Sequence, residues 1–215
     1  MASRIIHLAI TKIILQNIMF QDANKMYLGT ILPDAYNING PSTDISHFKE
    51  NVCDGTKKTY NLTKFRTMFM DKIRTNDLYL GYYLHLIQDI VYRRFVYNDH
   101  NWNPTIPGNV QKLHNDYRLI NTYVIDKYNL LNNIDISDTF QDEEINKIYP
   151  FDLKQLLNGL ENDFIPYKEG EIFFFTDKMA DEYIEKAVEL CLDEINALGN
   201  KTSLFDEMQY AWRKL

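Results

Sequence analysis

Twenty residues near the middle of the chain, NDLYLGYYLHLIQDIVYRRF (Asn76 to Phe95), read as a helix without a polar side. Leu80, Tyr83, Leu84, Leu86, Ile87, Ile90 and Val91 surround its axis, so such a helix belongs inside the protein with others packed around it. Yet it carries His85 and Asp89, spaced i and i+4 and therefore on one face. Burying an imidazole and a carboxylate is costly unless something satisfies them. Two solutions are open: a core histidine bonded to the aspartate of its own helix, or two side chains that grip one metal ion. Gly81, one turn earlier on the same face, leaves room beside the pair, and Leu78, Tyr82 and Tyr92 wall it in.

Helical periodicity continues on both sides. Ile5 to Phe20 is apolar over a wide face, and a short helix starting at Asp22 has to end near Pro33. Tyr36 to Thr59 is rich in Asn, Gly, Ser and Asp and reads as a long loop with one turn at Ser46 to Glu50. Loops of that length inside a domain are often functional. Helices are predicted again over Asn61–Ile73 and from a cap at Asn76 to Arg93 and Arg94, whose charges suit a helix C-terminus. A loop then leads to a helix over Val110–Tyr128. Shorter helices are expected over Asp142–Ile148 and Asp152–Leu160, with an extended segment at EGEIFFFT. Asp177–Leu198 reads as an amphipathic helix ended by Gly199, and Ser203–Arg213 as a last helix. The fold class is mainly α, a multi-helix bundle forming one domain over residues 1–215.

With 45% hydrophobic residues, 15 Tyr and 12 Phe, the chain has ample material for a core, which excludes disorder. A net charge of -7 argues against a nucleic-acid backbone or an anionic membrane surface as main partner, so no long nucleic acid is expected. It does not exclude phosphate chemistry, because a bound metal reverses the local field. Cys53 and Cys191 lack the paired spacing of a metal knuckle and are expected to be two free, buried thiols in a reducing compartment. His7, Thr11, Lys12 and Gln16 interrupt the apolar N-terminal run, so neither a signal peptide nor a transmembrane segment is expected. The location these features favour is cytoplasmic.

Other His and Asp residues bear on the choice at His85. Asp34 follows Pro33 in LGTILPDA, His47 lies in DISHFKEN, and His7 interrupts the first helix. Each has an ordinary structural role available: helix stop, surface loop residue and satisfied core histidine. In order, however, an early helix with a His, Asp in ILPDA, His in SHF, and the H-x-x-x-D of LGYYLHLIQD resemble the zinc-dependent phospholipase C family, which shares its fold with S1/P1-type nucleases. The resemblance covers roughly the first half of the chain. It implies a helical fold of the phospholipase C/P1 nuclease type in which Asp34, His47, His85 and Asp89 surround one zinc, while Asp89 bridges towards a second metal held by His7. One zinc is expected and two are possible.

This chain departs from the family in two places. Secreted members mature to an N-terminal tryptophan that helps bind zinc, whereas this sequence opens Met1-Ala2-Ser3, as an intracellular bacterial-type member would. The family's later H-x-x-x-E/D helix has only His114 and His100 as candidates here. Arg118 stands four residues after His114, so this second pair is broken, and what the resemblance leaves is a one-metal site or a two-metal site using His7, with His114 as a further candidate ligand.

The activity implied is a zinc-dependent phosphoric ester hydrolase, acting most naturally on a phosphodiester such as a phospholipid head group or nucleotide, with zinc-activated water as nucleophile. Asp34 is then either ligand or general base. The alternative is a catalytically silent helical metal-binding or interaction domain. A phosphohydrolase of the HD type would need an adjacent His-Asp doublet on a helix, and only the reversed Asp99-His100 is present. EIFFF fits either a buried segment or an apolar edge for lipid. Arg93 and Arg94 fit either a substrate phosphate or helix-end solvation.

Overall fold

The computed structural model describes residues 2–214 and is mainly helical. Helix α4 (Asp77–Arg94) is its axis, with every side chain from Leu78 to Tyr92 buried. Asn76 caps it, accepting from the Leu78 N–H, and a π-helical turn over Phe95–Asp99 extends it. Around α4 pack α1 (Arg4–Asn17), α2 (Ala23–Ile31), α3 (Leu62–Thr75) and α7 (Asp177–Gly199). Helices α5 (Asn109–Tyr128) and α6 (Leu153–Asp163) flank α1. Ser3, Asp22, Asn61, Asp152 and Thr176 cap α1, α2, α3, α6 and α7 by accepting from a backbone N–H in the first turn.

Two glycines set the closest crossing. A Cβ on Gly29 of α2 would lie 2.1 Å from the Leu78 carbonyl oxygen, and one on Gly81 of α4 would lie 2.4 Å from that of Met26. The space beside His85 and Asp89 is therefore filled by the backbone of α2. Pro33 then turns the chain through a 3-10 turn, Leu32–Asp34, which carries Asp34 over α4.

The long polar segment after Tyr36 contains more order than its composition indicates. Strands β1 (Lys49–Val52) and β2 (Lys57–Tyr60) form an antiparallel hairpin, pairing Lys49 with Tyr60 and Val52 with Lys57. Cys53, Asp54 and Gly55 all adopt positive φ at its tip. A third strand, β3 (Trp212–Arg213), pairs with the outer half of β2.

The short helix expected over Asp142–Ile148 is a 3-10 helix, Glu144–Lys147, preceded by another, Asp138–Asp142. Three other local expectations are corrected. EGEIFFFT makes no strand, because the buried Asp116 carboxylate accepts from the Phe173, Phe174 and Phe175 N–H groups at 2.8–2.9 Å. Ser203–Arg213 is not a helix: buried Glu194 accepts from Ser203 Oγ and from the N–H groups of Leu204 and Phe205. Both cysteines are free, but only Cys191 is buried, while Cys53 is exposed on the hairpin. Gly199 is the last residue of α7, which Asn200 caps. No helix among the described residues is long and apolar enough to cross a membrane.

Candidate metal centre

Three buried imidazoles converge on α4, and each has one nitrogen already committed. His85 Nδ1 lies 2.7 Å from the Thr30 carbonyl oxygen, which the glycine crossing delivers. His47 Nδ1 lies 2.9 Å from the Thr43 carbonyl oxygen. His7 Nδ1 lies 2.7 Å from Gln88 Oε1. A carbonyl or amide oxygen only accepts, so each Nδ1 carries the proton and donates it. In the neutral rings Nε2 then presents a lone pair.

Those three Nε2 atoms face other lone pairs. His85 Nε2 is 3.3 Å from His47 Nε2, which is 3.4 Å from Asp34 Oδ1 and 3.8 Å from Asp89 Oδ2. His85 Nε2 stands 4.0 Å from Asp89 Oδ2, and His7 Nε2 stands 3.5 Å from Asp89 Oδ1. His7 Nε2 and Asp34 Oδ1 are buried without a hydrogen-bond partner. Ligands at about 2.1 Å from a tetrahedral zinc lie about 3.4 Å from one another, close to the shorter of these separations. Two overlapping groups meet the requirement for a metal, His7-His85-Asp89 and Asp34-His47-His85. These buried groups can hold a metal ion.

The electrostatics favour a cation. Burial opposes ionisation of Asp34, but the His85 and His47 rings hold its carboxyl down at about 2. Burial likewise opposes ionisation of Asp89, yet its carboxyl stays well below the usual range beside His7 and His85. Burial, with His7 close by, pushes His85 down to about 3. Burial also works against a proton on His7, but the Asp89 carboxylate overcomes it and raises the ring above its ordinary value. Two buried carboxylates that stay ionised thus face the His85 ring, which burial keeps uncharged at neutral pH, and the His7 ring, whose hold on a proton Asp89 strengthens. Buried negative charge of that kind calls for a compensating cation.

An outer layer fixes the ligands. Tyr60 OH donates to Asp89 Oδ2 at 3.1 Å, and Arg93 Nε donates to Tyr60 OH at 3.0 Å. The Arg93 guanidinium also lies over the Trp212 ring at 5.1 Å, so strand β3 helps to hold this chain of contacts. Arg93 therefore supports Asp89 through Tyr60 and is not an open phosphate-binding cation. The Ala2 N–H donates to Asp89 Oδ1 at 3.2 Å. Outer partners of this type orient metal ligands and set their basicity. Gln88, Tyr60, Thr30 and Thr43 escape a search for ligand types in the sequence. Only Gln88, next to Asp89 on the central helix, carried a visible signal: a buried amide needs a partner.

Of the sequence-derived candidates, the structure gathers His7, Asp34, His47, His85 and Asp89. It does not bring His114 to them. His114 is exposed on α5, its ring 6.1 Å from that of Tyr117, and belongs to neither group. Arg118, in the place of a second acidic ligand, stacks on Tyr167 with 3.8 Å from Cζ to the ring centre. His100 packs on Phe95, 4.3 Å between ring centres. Asp34 is the most exposed of the five, at 8%, and lines a cleft that opens to solvent. Comparison with protein-family models, curated proteins and solved structures gives no match.

Proposed function

We propose that the chain is a zinc-dependent hydrolase of phosphate esters, acting on a phosphodiester, with Asp34, His47, His85 and Asp89 as the main zinc ligands and His7 placed to share Asp89 with a second ion. One observation carries this: His47 and His85, whose Nδ1 protons are held by backbone carbonyl oxygens, bring their Nε2 atoms to 3.3 Å from each other and towards the Asp34 and Asp89 carboxylates, with His7 on the other oxygen of Asp89. Such an arrangement is well formed around a cation. Imidazole and carboxylate together suit zinc. When bound, zinc activates water near neutral pH and stabilises negative charge on a phosphoryl oxygen.

The chain's own residues supply orientation and access. Thr30, Thr43 and Gln88 fix the imidazole tautomers, and Tyr60 with Arg93 fixes Asp89. Asp34 stands where the buried cluster meets the open cleft, so substrate approaches from its side. Its low affinity for a proton suits a ligand better than a general base. The order of these residues agrees with the resemblance to the zinc-dependent phospholipase C family.

A catalytically silent metal-binding domain is favoured by a different observation, the near-complete burial of His7, His85 and Asp89. A structural zinc has all positions filled by protein, whereas a catalytic one keeps a position open. One experiment separates the two. Zinc content of the purified protein is measured beside hydrolysis of bis(p-nitrophenyl) phosphate, for wild type and His85→Ala. Stoichiometric zinc with turnover, both lost in the variant, supports the hydrolase. Stoichiometric zinc without turnover of any diester supports the silent domain, and absence of zinc after supplementation sinks both.

A further inference from the structure

The cleft beside Asp34 has a chemical character of its own. Its volume is about 430 Å³, enough for a small polar group. Along one wall runs α6, which presents Lys154, Asn158 and Asn162 at successive i+4 positions, with Gln155 beside them. Leu160 of that helix points into the core instead.

Against the same helix lies Arg4. Its Nε donates to Asp163 Oδ2 at 2.7 Å, which holds the guanidinium, while its two Nη groups have no hydrogen-bond partner among the described residues. A Cβ on Gly159 would lie 2.9 Å from Arg4 Nη2, so the missing side chain leaves the guanidinium its place against α6. Gln155 Oε1 is a buried acceptor in this wall without a hydrogen-bond partner. The cleft thus offers preorganised donors at Arg4, a cation at Lys154, amides at Asn158 and Asn162, and an acceptor in need of a donor.

We infer that this cleft receives the non-scissile side of the substrate and that it selects a polyol or sugar. This rests on the hydrolase function proposed above. A hydroxyl group supplies the donor that Gln155 Oε1 needs and an oxygen for Arg4 Nη and the amides. A quaternary ammonium group finds no cage, because Tyr36 is the one aromatic ring in the lining, and the charges of Arg4 and Lys154 are balanced there by those of Asp34 and Asp152, so the lining offers it no net attraction. An acyl chain finds no apolar wall, since Leu156 is the only aliphatic side chain there. Polyol head groups of lipids and the sugars of nucleotides share this chemistry.

The test is calorimetric titration of the zinc-supplemented protein with ribose 5-phosphate, inositol 1-phosphate, phosphocholine and inorganic phosphate. At least one of the first two should bind about tenfold more tightly than inorganic phosphate, and which one does so separates a nucleotide from a lipid source. Phosphocholine should gain nothing over inorganic phosphate. In Asn158→Leu and Lys154→Ala, on the exposed side of α6, the ratio of sugar phosphate to inorganic phosphate affinity should fall towards one. Phosphocholine as the tightest ligand, or a ratio unmoved in both variants, would overturn the inference. If the protein takes up no zinc, the hydrolase proposal fails by itself. Sugar-phosphate binding that still weakens in Asn158→Leu would then uphold the cleft, and absence of such binding would overturn it.

Discussion

His47 and His85 face each other through their Nε2 atoms at 3.3 Å, while the Nδ1 of each is held by a backbone carbonyl oxygen. Neither neutral ring can turn its proton towards the other without abandoning a carbonyl oxygen, so the contact is one that a bound cation would complete. Removal of zinc by a chelator should therefore destabilise the wild type. A ligand at a thousand times its dissociation constant stabilises by about 4 kcal/mol. For a chain of this size that corresponds to roughly 8–16 °C in Tm. His85→Ala should show low zinc content and a Tm indifferent to chelator, whereas His114→Ala should keep both zinc and the chelator response. Thermal scans with and without chelator decide it, and an unresponsive wild type would remove the metal centre.

The metal-free protein should lose stability as it is acidified from neutral pH. His85 is held down to about 3 by burial and by His7, against an ordinary value of 6.5. Between those values the unfolded chain binds a proton that the folded chain refuses. Stability is therefore full above pH 6.5 and falls as pH drops towards 3, by up to about 1.4 kcal/mol per pH unit from this group. His7 acts with the opposite sign. Its raised value adds stability below pH 6.5, which is lost as pH rises through its folded value. Urea midpoints of chelated wild type and His85→Asn between pH 7 and 4 read the difference, and the variant should have the shallower slope.

The helices and the pairing of His85 with Asp89 were legible in the sequence for physical reasons, whereas Asp34, His47 and His7 were joined to that pair by the family resemblance. Apolar periodicity located α1, α3, α4, α5 and α7, and the i, i+4 spacing of His85 and Asp89 survives any way of packing α4. What could not be read depended on partners distant in sequence. The Phe173–Phe175 segment looks like a strand until Asp116 occupies its N–H groups, and the stretch after Ser203 looks helical until Glu194 does the same. The β1–β2 hairpin was hidden because KENV and KKTY are charged and lack an apolar alternation. Its one local signal was Asp54-Gly55 between them. His114 came from the same resemblance as Asp34, His47 and His7, but nothing about its own helix face pointed inward.

The two cysteines should differ sharply in reactivity. Burial pushes the Cys191 thiol up to about 12, while Cys53 is exposed at the hairpin tip. Titration with a chromogenic disulfide at pH 8 should register one fast thiol in the folded protein and two in denaturant. Cys53→Ser should abolish the fast reaction while leaving zinc content unchanged.

Asp116 is expected to matter for folding without touching the metal. Its carboxylate accepts three backbone N–H groups at 2.8–2.9 Å and anchors the segment before α7. Asp116→Asn turns an amide group towards those donors and should cost about 3 kcal/mol in urea unfolding. Zinc stoichiometry at 10 °C should stay that of the wild type. Loss of zinc from a folded Asp116→Asn would show that the clamp also shapes the metal centre.

The same substitution at two helical glycines should have opposite signs. At Gly199, at the end of α7, an added Cβ meets no atom within 4 Å, so Gly199→Ala should stabilise by roughly 0.5–1 kcal/mol through helix propensity. At Gly81 the added Cβ would lie 2.4 Å from the Met26 carbonyl oxygen and 3.0 Å from the Thr30 nitrogen. Backbone must move there, because no flexible side chain is available to yield. Overpacking of this kind costs typically about 1–3 kcal/mol. The displaced element is the end of α2, whose Thr30 carbonyl oxygen sits 2.7 Å from His85 Nδ1. Gly81→Ala should therefore weaken zinc binding as well, by roughly 10–100-fold, the usual effect of disturbing an outer partner of a metal-bound imidazole. Urea unfolding and competition against a chromogenic chelator read the two effects separately. Equal destabilisation with unaltered zinc affinity would mean that α2 can retreat without loosening His85, and that the glycine crossing serves packing alone.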